Sequence, residues 1–201
     1  MSSLVDGLET TPFINVQQTD FDEQWNTGDD RVMGGKSYSY TNYETGGYGK
    51  FNGTAVGDGG GFSIVYYSPK EGEVLSGGDW DGVAVTVSSQ HNYIYRVGLS
   101  DKVDRWIGVA FEKDFEVQAG LSDFQTIHIP FEDFYATARG SSIWWYNYFN
   151  TLDVSDLRGF YFMYSKFDYI NLIPPFIHTN EKWGEGDFEM HFKDVQLFKT
   201  V

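Results

Sequence analysis

Apolar and polar residues alternate with a period of two over many short runs, and most runs end at glycine, aspartate or asparagine. That period puts successive side chains on opposite faces of an extended backbone, so the runs predict β-strands. Val83, Val85 and Val87 alternate with Ala84, Thr86 and Ser88. Tyr93, Tyr95, Val97 and Leu99 alternate with Ile94, Arg96 and Gly98. Ile127, Ile129 and Phe131 take one parity, and Thr126 and His128 the other. Residues 36–43 alternate and meet a turn signal at 44–47; residues 48–56 form the next run and stop at the glycines of 57–61. Residues 62–67 and 159–164 are apolar at nearly every position, which predicts strands buried on both faces. In the last run Phe188, Met190 and Phe192 share one parity, and Val195 and Leu197 the other. The switch at Lys193 and Asp194 predicts a bulge. Short helical turns are expected only at 131–138 and 152–158, the second capped by Asp153 or Ser155.

Many short strands at this spacing imply an all-β domain, a jelly-roll sandwich of two antiparallel sheets with at most short helical turns. The 201 residues suffice for a substantial core, and aromatics at 18% suit pleated, half-buried surfaces. One domain is expected over 1–201, with an N-terminal arm at 1–20 and the sandwich at 21–199. Long loops fall at 141–152 and 168–186. Within them, 143–149 (IWWYNYF) is almost wholly aromatic, and 169–183 holds an apolar stretch stiffened by Pro174 and Pro175. Long ordered loops tend to carry function.

Charge narrows the partners. The formal net charge is -15, with only 14 Lys and Arg. Such a chain repels phosphate backbones and anionic membrane surfaces, which argues against nucleic acid and favours solubility. With no cysteine, disulfides, thiolate metal sites and a cysteine nucleophile are excluded. The first residues lack the pattern of a signal or transit peptide, and no run approaches the ~18 apolar residues of a membrane span. A soluble protein of the cytoplasm, or of an organelle interior after processing, is expected.

Candidate chemistry is sparse. The four histidines, His91, His128, His178 and His191, show no metal-ligand spacing. His128 and His191 fall on polar parities and read as solvated or hydrogen-bonded. No nucleophile elbow or phosphate loop is present, and with 29 carboxylates any acid pair is uninformative. The expectation is a protein without catalytic residues, cofactor or metal. Asp58 and the turn at 79–82 offer oxygens for calcium but do not show the six to eight that calcium takes.

The most distinctive segment runs from Trp25 to Ser37. Gly34 and Gly35 permit positive φ or close backbone approach, and Asp29 and Asp30 can bond nearby amides. Both a demanding turn packed on the sandwich and a ligand-contacting loop fit these residues. The segment resembles the complex I intermediate-associated protein 30 family, in which a tryptophan precedes an Asp-x-Val-Met-Gly-Gly-x-Ser signature. Trp25, Asp30, Val32, Met33, Gly34, Gly35 and Ser37 match it. Phe51-Asn52-Gly53, Gly60-Gly61-Phe62, Gly82-Val83, Tyr93 to Leu99, Ile129 to Phe134, Arg139-Gly140, 157–166 and 188–198 are similar to later parts of the pattern. The resemblance covers about 21–198. It implies a galactose-binding-like sandwich related to carbohydrate-binding modules, with no established catalytic residues. It also implies a role in assembling respiratory complex I or, in relatives, photosynthetic complexes. The segments 143–149 and 169–183 look longer than the family pattern.

Three uses of the aromatic loops stay open: capping the sandwich, docking a protein, or stacking on sugar rings or a pigment. The leading expectation is a protein-interaction domain, an assembly factor or accessory subunit of a large membrane-associated complex. Trp144, Trp145, Tyr146, Tyr148, Phe149, Ile173, Pro174, Pro175 and Phe176 would then meet protein subunits, since Trp and Tyr are favoured anchors. The alternative is a carbohydrate-binding module using Arg96, Trp106 and His128.

Overall fold

In a computed structural model the described residues are 3–5, 7–73, 75–101, 109–138, 141–142, 151–168, 178–180 and 182–201. They build two antiparallel seven-stranded sheets. In the first, β1 (Ser3–Val5) and β2 (Leu8–Ile14) lead in, and β4 (Tyr38–Glu44) and β5 (Tyr48–Ala55) form a hairpin. The tight turn between them is closed by the Gly47 N–H donating to the Glu44 carbonyl at 3.0 Å, with Gly47 at φ 81°. β7 (Gly82–Ser89), β10 (Gln125–Pro130) and the fifteen-residue β16 (Gly186–Thr200) complete the sheet.

The second sheet contains β3 (Trp25–Asp29), β6 (Phe62–Tyr67), β8 (Tyr93–Asp101), β9 (Val109–Val117), β11 (Tyr135–Ala138), β12 (Ser141–Ser142) and β13 (Leu157–Ser165). Their spatial order is β12-β11-β9-β8-β13-β6-β3. A two-stranded ribbon joins β14 (Phe167–Asp168) to β15 (His178–Thr179).

β16 organises the first sheet. Along one side it pairs with β7; along the other its first half pairs with β5 and its second half with β2. The β7 register shifts between Phe192 and Asp194. This is the bulge that the parity switch predicts, and it keeps Phe188, Met190, Phe192, Val195 and Leu197 all in the core. The core between the sheets is aromatic: the Trp25 ring lies 4.7 Å from Phe192 and 5.4 Å from Tyr67, and Phe162 lies 4.9 Å from Phe160. Each fully buried ring contributes about 1.5–3 kcal/mol.

Several expectations need correction. Residues 62–67 and 159–164 are not buried on both faces: Val65, Tyr67, Phe160, Phe162 and Tyr164 enter the core, while Ile64, Tyr66, Tyr161 and Met163 lie on the outer face. Large apolar side chains on that outer face mimic a doubly buried strand in sequence. Of 152–158, residues 154–155 are a turn and Leu157 already begins β13; 131–138 divides into a 3-10 turn (Phe131–Asp133) and β11. The expected N-terminal arm supplies β2, paired with β16 from Leu8 to Ile14. A helix, α1 (Gln18–Gln24), was not expected. It has no side-chain cap and one buried apolar residue, Phe21, whose ring lies 6.0 Å from both Trp25 and Phe192. With a single apolar anchor it carries no 3.6-residue period to read.

Candidate interaction site

The segment from Trp25 to Ser37 forms the corner where the chain leaves one sheet for the other. Trp25 is core, at the α1 end of β3. At the far end, the Asp29 carboxylate takes the Arg31 guanidinium through Nε and Nη2, both at 2.8 Å, and also accepts from the Arg31 N–H. The Arg31 hydrogen bonds hold the Asp29 carboxyl below its ordinary pKa. Asp30 to Met33 make a 3-10 turn that ends at Gly34, φ 89°.

Asp30 is fully buried. Its Oδ1 accepts from the Ser37 N–H at 2.9 Å, and its Oδ2 accepts from the Ser37 hydroxyl at 2.6 Å and the Gly61 N–H at 2.5 Å. One carboxylate thus ties the turn to the start of β4 and to the β5–β6 loop. The glycines around it are steric requirements: a Cβ on Gly35 would sit 2.2 Å from Asp30 Oδ1, and one on Gly60 would sit 2.4 Å from Oδ2. The knot leaves Val32 and Met33 in water, 83% and 68% exposed. Tyr38 and Tyr40 are also exposed, on the nearby strand β4.

A second polar cluster lies on the outer face of the second sheet, where side chains are ordinarily solvated. Arg96 and Glu112 are 2% exposed there. Arg96 donates from Nε to Asp114 Oδ1 at 2.6 Å, from Nη2 to Asp114 Oδ2 at 3.2 Å and to the Phe167 carbonyl at 3.3 Å, and from Nη1 to Glu112 Oε2 at 3.4 Å. The Tyr161 hydroxyl donates to the other Glu112 oxygen. Its ring lies over Gly98, where a Cβ would come within 2.0 Å of it. Burial by itself would lower the Arg96 pKa; Glu112 and then Asp114 reverse this and hold it raised. Burial, and then the Glu112 charge, push the Tyr161 phenol well up. Geometry and charge therefore fix Arg96 as a cation whose donors are spent inside the protein.

Among the sugar-site residues, the structure separates Arg96 from His128. His128 is exposed on β10 of the other sheet, edge-on to Phe198 at 5.1 Å. Trp106 lies outside the described residues, as do Trp144, Trp145, Tyr146, Tyr148, Phe149, Ile173, Pro174, Pro175 and Phe176. Their anchor points are described: residues 142 and 151 bracket one segment toward the α1 end, and 168 and 178 bracket the other at the signature end. β13 runs between the two ends. His191 is buried, bonded to Glu189 at 2.8 Å and stacked on Tyr48 at 4.5 Å. Of the calcium candidates, Asp58 pairs with Lys36 at 2.5 Å and Asp81 accepts from the Thr200 N–H. Among the described residues no group of three or more His, Asp or Glu could hold a metal ion, and no helix is long and apolar enough to cross a membrane.

Glu112, Asp114 and Tyr161 escaped the sequence reading. The available signal was the Glu112, Asp114, Glu116 parity of β9, opposite Phe111, Phe115 and Val117; placing it beside Arg96 requires knowing that β8 pairs with β9.

The signature geometry and the two-sheet fold agree with the comparison to known families. Residues 14–191 match the complex I intermediate-associated protein 30 family. The chain belongs to that family. No curated protein sequence matches it. Among solved structures, this family member is similar to a family 11 carbohydrate-binding module from Clostridium thermocellum in complex with a β-1,3-1,4-mixed-linked tetrasaccharide. That match has 17% identity and a TM-score of 0.56, and covers 99% of each chain. The same kind of module from the cellulosomal cellulase Lic26A-Cel5E of Clostridium thermocellum has 16% identity and a TM-score of 0.53, over 94% of each chain. An agarase, AgWH50C, matches at 9% identity and a TM-score of 0.58, over 96% of this chain and 25% of its own. At these identities the likeness shows the fold.

Proposed function

We propose that this protein is a non-catalytic protein-interaction domain, an assembly factor or accessory subunit of a large membrane-associated respiratory or photosynthetic complex. The observation that carries the reading is the signature corner. A buried carboxylate and sterically required glycines hold Val32 and Met33 out in water, 83% and 68% exposed. Because the backbone beneath them is already fixed, contact orders only the side chains, and each one buried by a partner contributes about 1.5–3 kcal/mol before association costs. Family membership supports the same reading. Trp144, Trp145 and the stretch around Pro174 and Pro175 are further proposed contacts.

The second reading, a carbohydrate-binding module, draws on the likeness to a module solved with a bound tetrasaccharide. Against it, Arg96 is buried and already bonded, and His128 belongs to the other sheet.

The test is affinity purification of the tagged full chain from its native source, with mass spectrometry of what accompanies it. Subunits of one membrane complex are expected. Val32→Ser with Met33→Ser should lower their recovery several-fold, and Trp144→Ala with Trp145→Ala should do so independently. A wild-type chain that purifies alone, yet binds oligosaccharides on a glycan array, would sink the proposal in favour of the module.

A further inference from the structure

A cleft of about 510 Å³ opens where β10 gives way to β11, at the α1 end and away from the signature corner. The sequence Phe131-Glu132-Asp133-Phe134 builds it. These residues fold as a 3-10 turn closed by the Phe134 N–H donating to the Phe131 carbonyl at 3.2 Å. The turn brings the two phenylalanine rings to 6.3 Å and leaves Glu132 and Asp133 exposed. Leu152 and Val154 also line it. Phe131 and Val154 both pack on Gly77, where a Cβ would come within 2.9 Å and 3.1 Å of them. The cleft therefore has an apolar floor on fixed backbone and an anionic rim. Lys113 reaches Asp133 at 3.3 Å, while Glu132 has no ion-pair partner among the described residues.

Two properties select the occupant. The floor rewards a bulky apolar side chain, and a volume inside the roughly 300–1,000 Å³ of ligand pockets holds one or two. A rim carboxylate with no ion-pair partner among the described residues and a chain of net charge -15 both favour a cation beside it. We infer that the cleft seats a segment of a partner protein that carries one or two bulky apolar side chains flanked by lysine or arginine. This rests on the protein-interaction reading above and names a further contact for it.

The test titrates the full chain with three capped hexapeptides at low salt, followed by amide NMR shifts and calorimetry. Their sequences are Gly-Lys-Leu-Phe-Arg-Gly, its acidic counterpart Gly-Glu-Leu-Phe-Glu-Gly, and the apolar-free Gly-Lys-Ser-Gln-Arg-Gly. The first should shift the amides of residues 131–135 and 152–154 and bind about tenfold or more tightly than either control. Glu132→Lys with Asp133→Lys, both on exposed positions, should remove that preference and favour the acidic peptide. Equal affinity for the first two peptides, shifts that map elsewhere, or no binding at millimolar peptide would overturn the inference. Co-purification separates this from the wider reading. Unchanged recovery of the complex by Glu132→Lys/Asp133→Lys overturns the cleft and leaves protein interaction standing. A wild-type chain that recovers nothing overturns the wider reading, and the titration still decides the cleft.

Discussion

Two buried carboxylate clusters lie in this sandwich, and they are satisfied in different ways. Asp30 is surrounded by neutral donors, the Ser37 N–H and hydroxyl and the Gly61 N–H. Glu112 and Asp114 are held by a cation, Arg96, with Tyr161 completing the set. The neutral donors belong to backbone that must turn sharply, so the Asp30 cluster shapes a corner and projects Val32 and Met33. The charged cluster spans neighbouring strands β8, β9 and β13 and fills the outer face of a sheet. One fixes a protrusion; the other spends its charges on one another within a sheet face. A buried ion pair adds little net stability when intact but is costly to break from one side. A carboxylate bonded to neutral donors leaves no opposite charge uncompensated when it is made neutral, so altering it costs less.

That difference sets the largest expected effect. Arg96→Met removes the only described cation contacting Glu112 and leaves that carboxylate buried without it. The variant should lose about 3–5 kcal/mol of unfolding free energy in urea titrations. Adding Glu112→Leu and Asp114→Leu should return much of that loss, since apolar replacement of a whole buried ion cluster is often neutral. If Arg96→Met costs less than about 1 kcal/mol, the face is open to water and its description as sealed is wrong.

Asp30→Asn comes next. The amide keeps the shape but substitutes a donor for one acceptor oxygen, so at least one of the three incoming donors is left facing another. The expected loss is about 2–3 kcal/mol, from a charge-assisted bond and an unsatisfied group. It should come with altered amide shifts at both Ser37 and Gly61. Stability lost without a change at Gly61 would show that the β5–β6 loop is not tied through Asp30, and the contrast between the two clusters would narrow to the first sheet's own turn.

The two clusters also differ in how far the sequence discloses them. Asp30, Gly34, Gly35 and Ser37 lie within eight positions, so their spacing is visible as a motif and its glycines point to close backbone approach. Gly60 and Gly61 are the remote members, and the run of glycines at 59–61 marks only a turn. Arg96, Glu112, Asp114 and Tyr161 are brought together by strand order, and the sequence does not disclose which strands are neighbours. Core parity was legible down to the bulge after Phe192, because a period of two survives in β7, β8, β10 and β16. Where both parities are large and apolar, as at Tyr66, Tyr161 and Met163, that signal fails, and the outer face of the second sheet could not be told from its core. α1 fails for the opposite reason, with one anchor and no period. The proposed contacts are the least legible part. An exposed Val32 and a buried valine look alike in sequence, and it takes the Asp30 knot to show which way the pair faces.

The smallest effect refines the corner itself. Asp29 is buried against an exposed Arg31, whose hydrogen bonds hold the Asp29 carboxyl below its unfolded value of 3.8. A lowered folded pKa means that the folded state binds its proton less readily than the unfolded chain. The stabilisation is therefore complete above the unfolded pKa and is lost as pH falls through the folded one. Arg31→Ala should be less stable than the parent at pH 6 by less than either substitution above, because an exposed guanidinium is well screened. The gap between the two proteins should close as pH drops below about 3.8 and Asp29 protonates in both, and 0.5 M salt should shrink it at pH 6. Urea unfolding from pH 6 to pH 2 reads this directly. A gap that persists at pH 2 would mean that Arg31 acts through the packing of its side chain rather than its charge. The corner would then be held by Asp30 alone, and the contrast between neutral-donor and ion-pair clusters would hold without exception.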